Sequence, residues 1–83
     1  MKIPKIGDII SYKVGNRQYA RINRIVEQDG SIQVWGKFSP DFTKVLNDEL
    51  PGEYNGWIKW NQEEAEAYDY QFHEQKISDY IGV

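Results

Sequence analysis

Hydrophobic residues fall along this chain in short runs whose period changes, and the changes mark the elements. Ile9-Ile10-Ser11-Tyr12-Lys13-Val14 is β-branched and aromatic, is preceded by Gly7-Asp8 and is followed by Gly15-Asn16, which tolerate positive φ. It reads as a first strand and a reversal. Gln18 to Glu27 alternates at period two, with Ala20, Ile22 and Val26 on one face and Tyr19, Arg21 and Asn23 on the other, as a half-buried second strand does. Gln28-Asp29-Gly30 then predicts a three-residue hairpin loop with Gly30 left-handed. That loop pairs Glu27 with Ser31, Val26 with Ile32, Ile22 with Gly36 and Ala20 with Phe38, so both strands place small and apolar residues on one side. A two-residue Asp29-Gly30 loop would set Ile32 against Glu27 and mix the faces. Arg24 is the exception, because this register points it inward opposite Val34 while Ile25 points out. A β-bulge near Asn23 to Ile25 would exchange the two; otherwise Arg24 reaches the rim of the core with its head in water.

Beyond Phe38 the pattern becomes helical in two places. Ser39 as N-cap with Pro40 at the first helical position predicts a short helix burying Phe42, Val45 and Leu46, with an anchored loop as the alternative. Asn47 to Gly56 is a turn-rich surface segment, and Trp57-Ile58-Lys59-Trp60 is a short aromatic strand. Asn61 caps a second helix with Glu64 in capping-box position. A stripe of Ala65, Tyr68 and Phe72 carries that helix from about Gln62 to Lys76, and residues 77–83 form a last strand or a tail. The fold class expected is mainly β with added α: a strongly bent antiparallel sheet or small barrel of four to five strands over about 6–60, with one C-terminal α-helix over about 62–76.

At 83 residues there is room for one core, so residues 1–83 are expected to form a single domain. Twelve aromatics (3 Trp, 6 Tyr, 3 Phe) are too many for a disordered chain, and the absence of cysteine removes disulfides and thiolate metal sites. The lack of cysteine fits a reducing, cytoplasmic compartment, and no apolar run approaches the roughly 20 residues of a membrane span, so no membrane association is expected.

The net charge of −3 is unevenly spread. Residues 1–37 hold seven bases and three acids, a net of +4, whereas residues 38–83 hold three bases and ten acids, a net of −7. The two halves either neutralise one another or give a basic and an acidic face for different partners. Catalytic groupings are poor: His73 is the only histidine, no serine lies within a turn of it on the predicted helix, and no glycine-rich phosphate loop occurs. Asp69 and His73, four apart on that helix, make a weak metal pair. The expectation is no enzyme, no cofactor and no metal. The outward face of the predicted hairpin is more informative, because Arg17, Tyr19, Arg21 and Asn23 lie beside Trp35 and Lys37, interleaving cations with aromatics as single-stranded nucleic acid binding requires. The alternatives are that the helix or the Trp57–Trp60 strand covers Tyr19 and Trp35 as a second small core, or that Tyr12, Tyr19, Trp35 and one of Trp57 or Trp60 line a peptide groove.

The stretch Lys5 to Phe38, IGDIISYK followed by YARINRIVEQDGSIQVWGKF, resembles the opening of SH3-like small barrels, including the Tudor, chromo-barrel and KOW types. The resemblance implies a five-stranded bent barrel that binds peptides, modified side chains or nucleic acid through loop aromatics, with Tyr12, Tyr19 and Trp35 as candidates by position. A long acidic helix after Trp60 departs from that pattern. The leading expectation is a small interaction module for a protein or peptide, using Tyr12, Tyr19, Arg17, Arg21, Trp35, Lys37, Trp57 and Trp60. Nucleic acid is the second partner considered. An acidic regulator that binds a basic surface, as some phage-encoded imitators of DNA do, is the third, and a homodimer through strand edges stays open.

Overall fold

Five strands follow the β-branched and aromatic runs: β1 Ile9–Val14, β2 Asn16–Gln28, β3 Ser31–Lys37, β4 Asn55–Lys59 and β5 Gln71–His73. A computed structural model describes residues 1–73; the expected end of the long helix and the strand or tail at 77–83 lie outside the described residues. The strands form one antiparallel sheet in the order β4-β3-β2-β1-β5, which is not closed into a barrel. Two short helices join them, α1 Phe42–Leu46 and α2 Gln62–Ala67, with a single 3₁₀ turn at Gly52–Tyr54.

The β2-β3 hairpin corrects the expected loop and explains the misfit at Arg24. Asp29 and Gly30 both have positive φ (54° and 76°), and Gln28 faces Ser31, so the loop has two residues, not three. Asp-Gly favours this tight turn because its twist matches that of the strands. Arg24 consequently faces Trp35 and Ile25 faces Val34, and a bulge between Ile22 and Arg24 then restores the Ile22–Gly36 pair and the Tyr19–Ser39 bridge. Ile25 packs on the main core and Arg24 is exposed, as a bulge at Asn23 requires.

The helix expected to reach Lys76 stops at Ala67. Asn61 caps it as expected, its Oδ1 accepting from the Glu64 N–H at 2.7 Å. Asp69 then turns left-handed (φ 49°), and the Tyr70 N–H donates back to the Ala65 carbonyl at 3.1 Å, a Schellman closure. The chain leaves as β5, pairing Phe72 with Ile10 and His73 with Ile9, so Asp69 and His73 do not share a helix face. α1 ends the same way at Asp48 (φ 55°), with the Glu49 N–H donating to Lys44 O at 2.9 Å. Its N-cap is Asp41, two residues beyond the expected Ser39, whose hydroxyl instead accepts from the Asp41 N–H.

The two faces of the sheet are buried differently. Ile10, Ile22, Val34 and Trp60 form the main core on the inner face, with Ile25, Ile58, Tyr70 and Phe72 packed around them. On the outer face α1 covers the β1 and β2 side, where Ile9 packs with Val45, Leu46 and Leu50, and Tyr19 and Phe42 flank them. The outer face over β3 and β4 is left without a covering element, and it carries Trp35 and Trp57.

Candidate functional site

The main core runs out into an aromatic groove of about 200 Å³ at the free edge of β4. Its walls are Tyr12 and Val14 from the end of β1, Trp57 to Lys59 from β4, and Glu64, Tyr68 and Tyr70 from α2 and its exit. Three large side chains here stay in water, Val14 at 61%, Trp57 at 48% and Tyr68 at 39% exposure. The edge beside them has no partner strand among the described residues, although one of its outward carbonyls, that of Lys59, is taken by a side chain. Trp60 N–H donates to Ile32 O and Phe38 N–H to Tyr54 O, so by antiparallel alternation the backbone groups of Trp57 and Lys59 point away from β3. The Tyr70 hydroxyl donates to the Lys59 carbonyl at 2.8 Å, which places Tyr70 along that edge. Burial, then the nearby Glu64 carboxylate, push the Tyr70 hydroxyl up to about 12, so it remains a donor throughout the physiological range.

A second depression of about 220 Å³ lies on the outer face where α1 meets β2 and β3. Arg21, Asn23, Lys37 and Lys44 surround it, Asp48 adds one carboxylate, and Val45 and Leu50 supply apolar wall. Arg21 Nη2 donates to the Leu46 carbonyl at 2.6 Å, and Asn23 Nδ2 to Asn55 Oδ1 at 3.2 Å.

The eight residues singled out from sequence separate into three groups. Tyr12 and Trp57 meet in the groove, where Tyr12 also packs its ring edge on Phe38 at 5.6 Å. Arg21 and Lys37 meet in the basic depression, and Trp35 stands between the two sites, 6.2 Å from Trp57 with Arg24 over its ring at 5.4 Å. The remaining three serve the fold. Tyr19 is in the second core against Phe42, covered by α1 and not by either element expected to cover it. Trp60 is 3% exposed, so it is not offered to a ligand. Arg17 donates to Ser11 Oγ at 2.7 Å and to the Asp69 carbonyl, and it forms an ion pair with the Asp69 carboxylate that ties the basic half to the acidic half. Val14, Glu64, Tyr68, Tyr70 and Lys44 join the sites although the sequence did not single them out as contacts. Tyr68 and Tyr70 were hidden by the overlong helix; Lys44 had no local signal.

Ser11 Oγ lies 2.7 Å from His73 Nε2, a pairing that can activate a nucleophile, but Ser11 has 0% exposure and its hydroxyl also accepts from Arg17. Here the pair ties β1, β2 and β5 together. Burial, then the Arg17 guanidinium, hold the His73 pKa below its usual value of 6.5. Below pH 6.5 the unfolded chain therefore takes up a proton that the folded chain resists, so stability falls as pH drops from about 6.5 through the folded value and levels off beneath it. The urea midpoint of the wild type is expected to fall between pH 7.5 and 5.5, and that of His73→Gln to fall less; equal falls would show that His73 does not set this dependence.

No cluster of three or more His, Cys, Asp or Glu suited to a metal occurs among the described residues, and none of their helices is long and apolar enough to cross a membrane. Compared with known proteins, the chain matches no family model, no curated protein and no solved structure.

Proposed function

We propose that this chain is a small non-enzymatic interaction module that binds an extended peptide along the free edge of β4. The peptide's alternate apolar side chains enter the aromatic groove, and a Lys or Arg sits beside Glu64. The observation that carries the reading is the coincidence of a strand edge without a partner strand with three exposed apolar side chains, Val14, Trp57 and Tyr68, in one groove; a peptide pairing there would displace the Tyr70 hydroxyl from the Lys59 carbonyl. Edge pairing supplies affinity through main-chain hydrogen bonds, and the groove supplies selectivity through every second side chain. The acidic first turn of α2, Glu63 and Glu64, favours a basic residue on the ligand. The strand order and the long β2 bent at Asn23 support reading the sheet as an opened relative of the SH3-like barrels.

Selection from a phage-displayed library of random linear peptides tests the proposal. Enriched sequences are expected to alternate apolar residues and to carry a basic one. Tyr68→Ala and Val14→Asp should each weaken the selected peptides about tenfold while the far-UV spectrum stays unchanged. A library that yields no enrichment, or selected peptides indifferent to both substitutions, would overturn it.

A further inference from the structure

We infer that the uncovered half of the outer face binds single-stranded nucleic acid, with bases stacking on Trp35 and Trp57 and phosphates held by Arg24, Lys37 and Lys44. This goes beyond the peptide reading and uses a different surface; Trp57 sits where the two meet.

Charge and flat aromatic surface coincide on that face. Trp35 and Trp57 are directly opposed across β3 and β4, their ring centroids 6.2 Å apart and their planes tilted by 36°. The next outward pair along the strands is Lys37 and Asn55, so the aromatic platform leads straight into the basic depression. Arg24 covers the opposite flank of Trp35. The chain as a whole carries thirteen acids against ten bases, yet no carboxylate among the described residues lies within ion-pair distance of Arg24, Lys37 or Lys44. A protein with an excess of carboxylates has gathered cations that make no ion pair among the described residues, with Asp48 the one carboxylate lining their depression, beside a tryptophan pair of which Trp57 is exposed and Trp35 half-buried.

That combination selects the ligand. An acidic peptide would satisfy the cations and leave the tryptophans unused, and a duplex hides the base faces that flat side chains need. A single strand presents both regularly spaced phosphates and open base faces, and stacking accepts any base.

The test is fluorescence anisotropy of a labelled oligothymidylate with the full chain over a series of salt concentrations, with tryptophan emission followed in parallel. Saturable binding at low salt with quenched tryptophan emission is expected. Because each phosphate contact on a single strand contributes about 0.7 to the slope of log affinity against log salt, the Lys37→Gln/Lys44→Gln double variant should flatten that slope by about 1.4. Both lysines lie outside the cores, so the variant keeps its fold. Trp35→Ala should weaken binding about tenfold. No binding at low salt, or a slope unchanged in the double variant, would overturn the inference. So would a labelled polyaspartate that binds as tightly as the oligonucleotide without quenching, which would reassign the face to acidic peptides. Tyr68→Ala, which strikes the peptide groove, is expected to leave oligonucleotide binding intact, so the two proposals fail separately.

Discussion

Trp60→Ala is expected to cost about 3–5 kcal/mol of stability, the range for removing a fully buried large aromatic. By the usual scale per residue a domain of this size holds about 4–12 kcal/mol in all, so the substitution should remove roughly a quarter of that stability or more. The size of the effect follows from where the ring sits. It is stacked on Tyr70 at 4.7 Å, meets Phe72 edge-on at 5.6 Å, and packs with Ile10, Ile22 and Val34. Its Nε1 donates to the Lys2 carbonyl at 3.0 Å, anchoring the N-terminal segment as well. One side chain therefore joins β4, the strand beyond α2 and the chain start. Trp60→Phe keeps most of the stacking and loses the hydrogen bond, so it should lie between wild type and alanine. Urea unfolding followed by far-UV circular dichroism ranks the three; an alanine variant with a wild-type midpoint would contradict the core described here.

The second large effect comes from adding one methyl group. A Cβ built on Gly36 would lie 2.5 Å from the Arg21 carbonyl oxygen and 3.1 Å from the Ala20 Cβ. The nearest atom is backbone in the middle of β2, so it cannot rotate out of the way as a flexible side chain would. Gly36→Ala should cost about 3 kcal/mol as the two strands are forced apart beside the bulge. Gly52 is the matched control, since nothing lies within 4 Å of its added Cβ, and Gly52→Ala should be nearly neutral. Thermal melts of the two variants make the comparison; equal melting temperatures would mean that β2 and β3 do not approach so closely at Gly36.

What could be read from sequence was what local chemistry decides. The first strand followed from a β-branched and aromatic run between turn residues, the second from period-two alternation and the third from its hairpin pairing with the second, and the Asn61 cap needed only the residue three positions on. At the hairpin the facing pattern favours a three-residue loop, whereas the turn preference of Asp29-Gly30 favours two. At the tip the strands are largely exposed, so pairing Ile32 with Glu27 costs little and the Asp-Gly turn prevails. Ala65, Tyr68 and Phe72 fit a helical stripe that would run past the observed end of α2 at Ala67, whereas Tyr70 and Phe72 also fit a strand. What decides between them is the edge of β1, more than 50 residues earlier, which needs a partner at Ile9 to Ser11. That non-local demand also carries Tyr68 and Tyr70 into the groove, so half of the candidate site was invisible until the strand was placed. Tyr12 and Trp57 were legible because each is an aromatic inside a strand that the local pattern already marks.

The bulge at Asn23 gives β2 two reading frames. Toward Tyr19 the strand is phased by the core; toward Gln28 it is phased by the Asp29-Gly30 turn; and one surplus residue reconciles them. The hairpin tip can therefore gain or lose a residue without rephasing the half of the strand that builds the core, provided that the change at the turn is matched by a change at Asn23. Length variation at that tip is a coupled, two-position event, and a single insertion or deletion there tests the core's phase before it tests the loop.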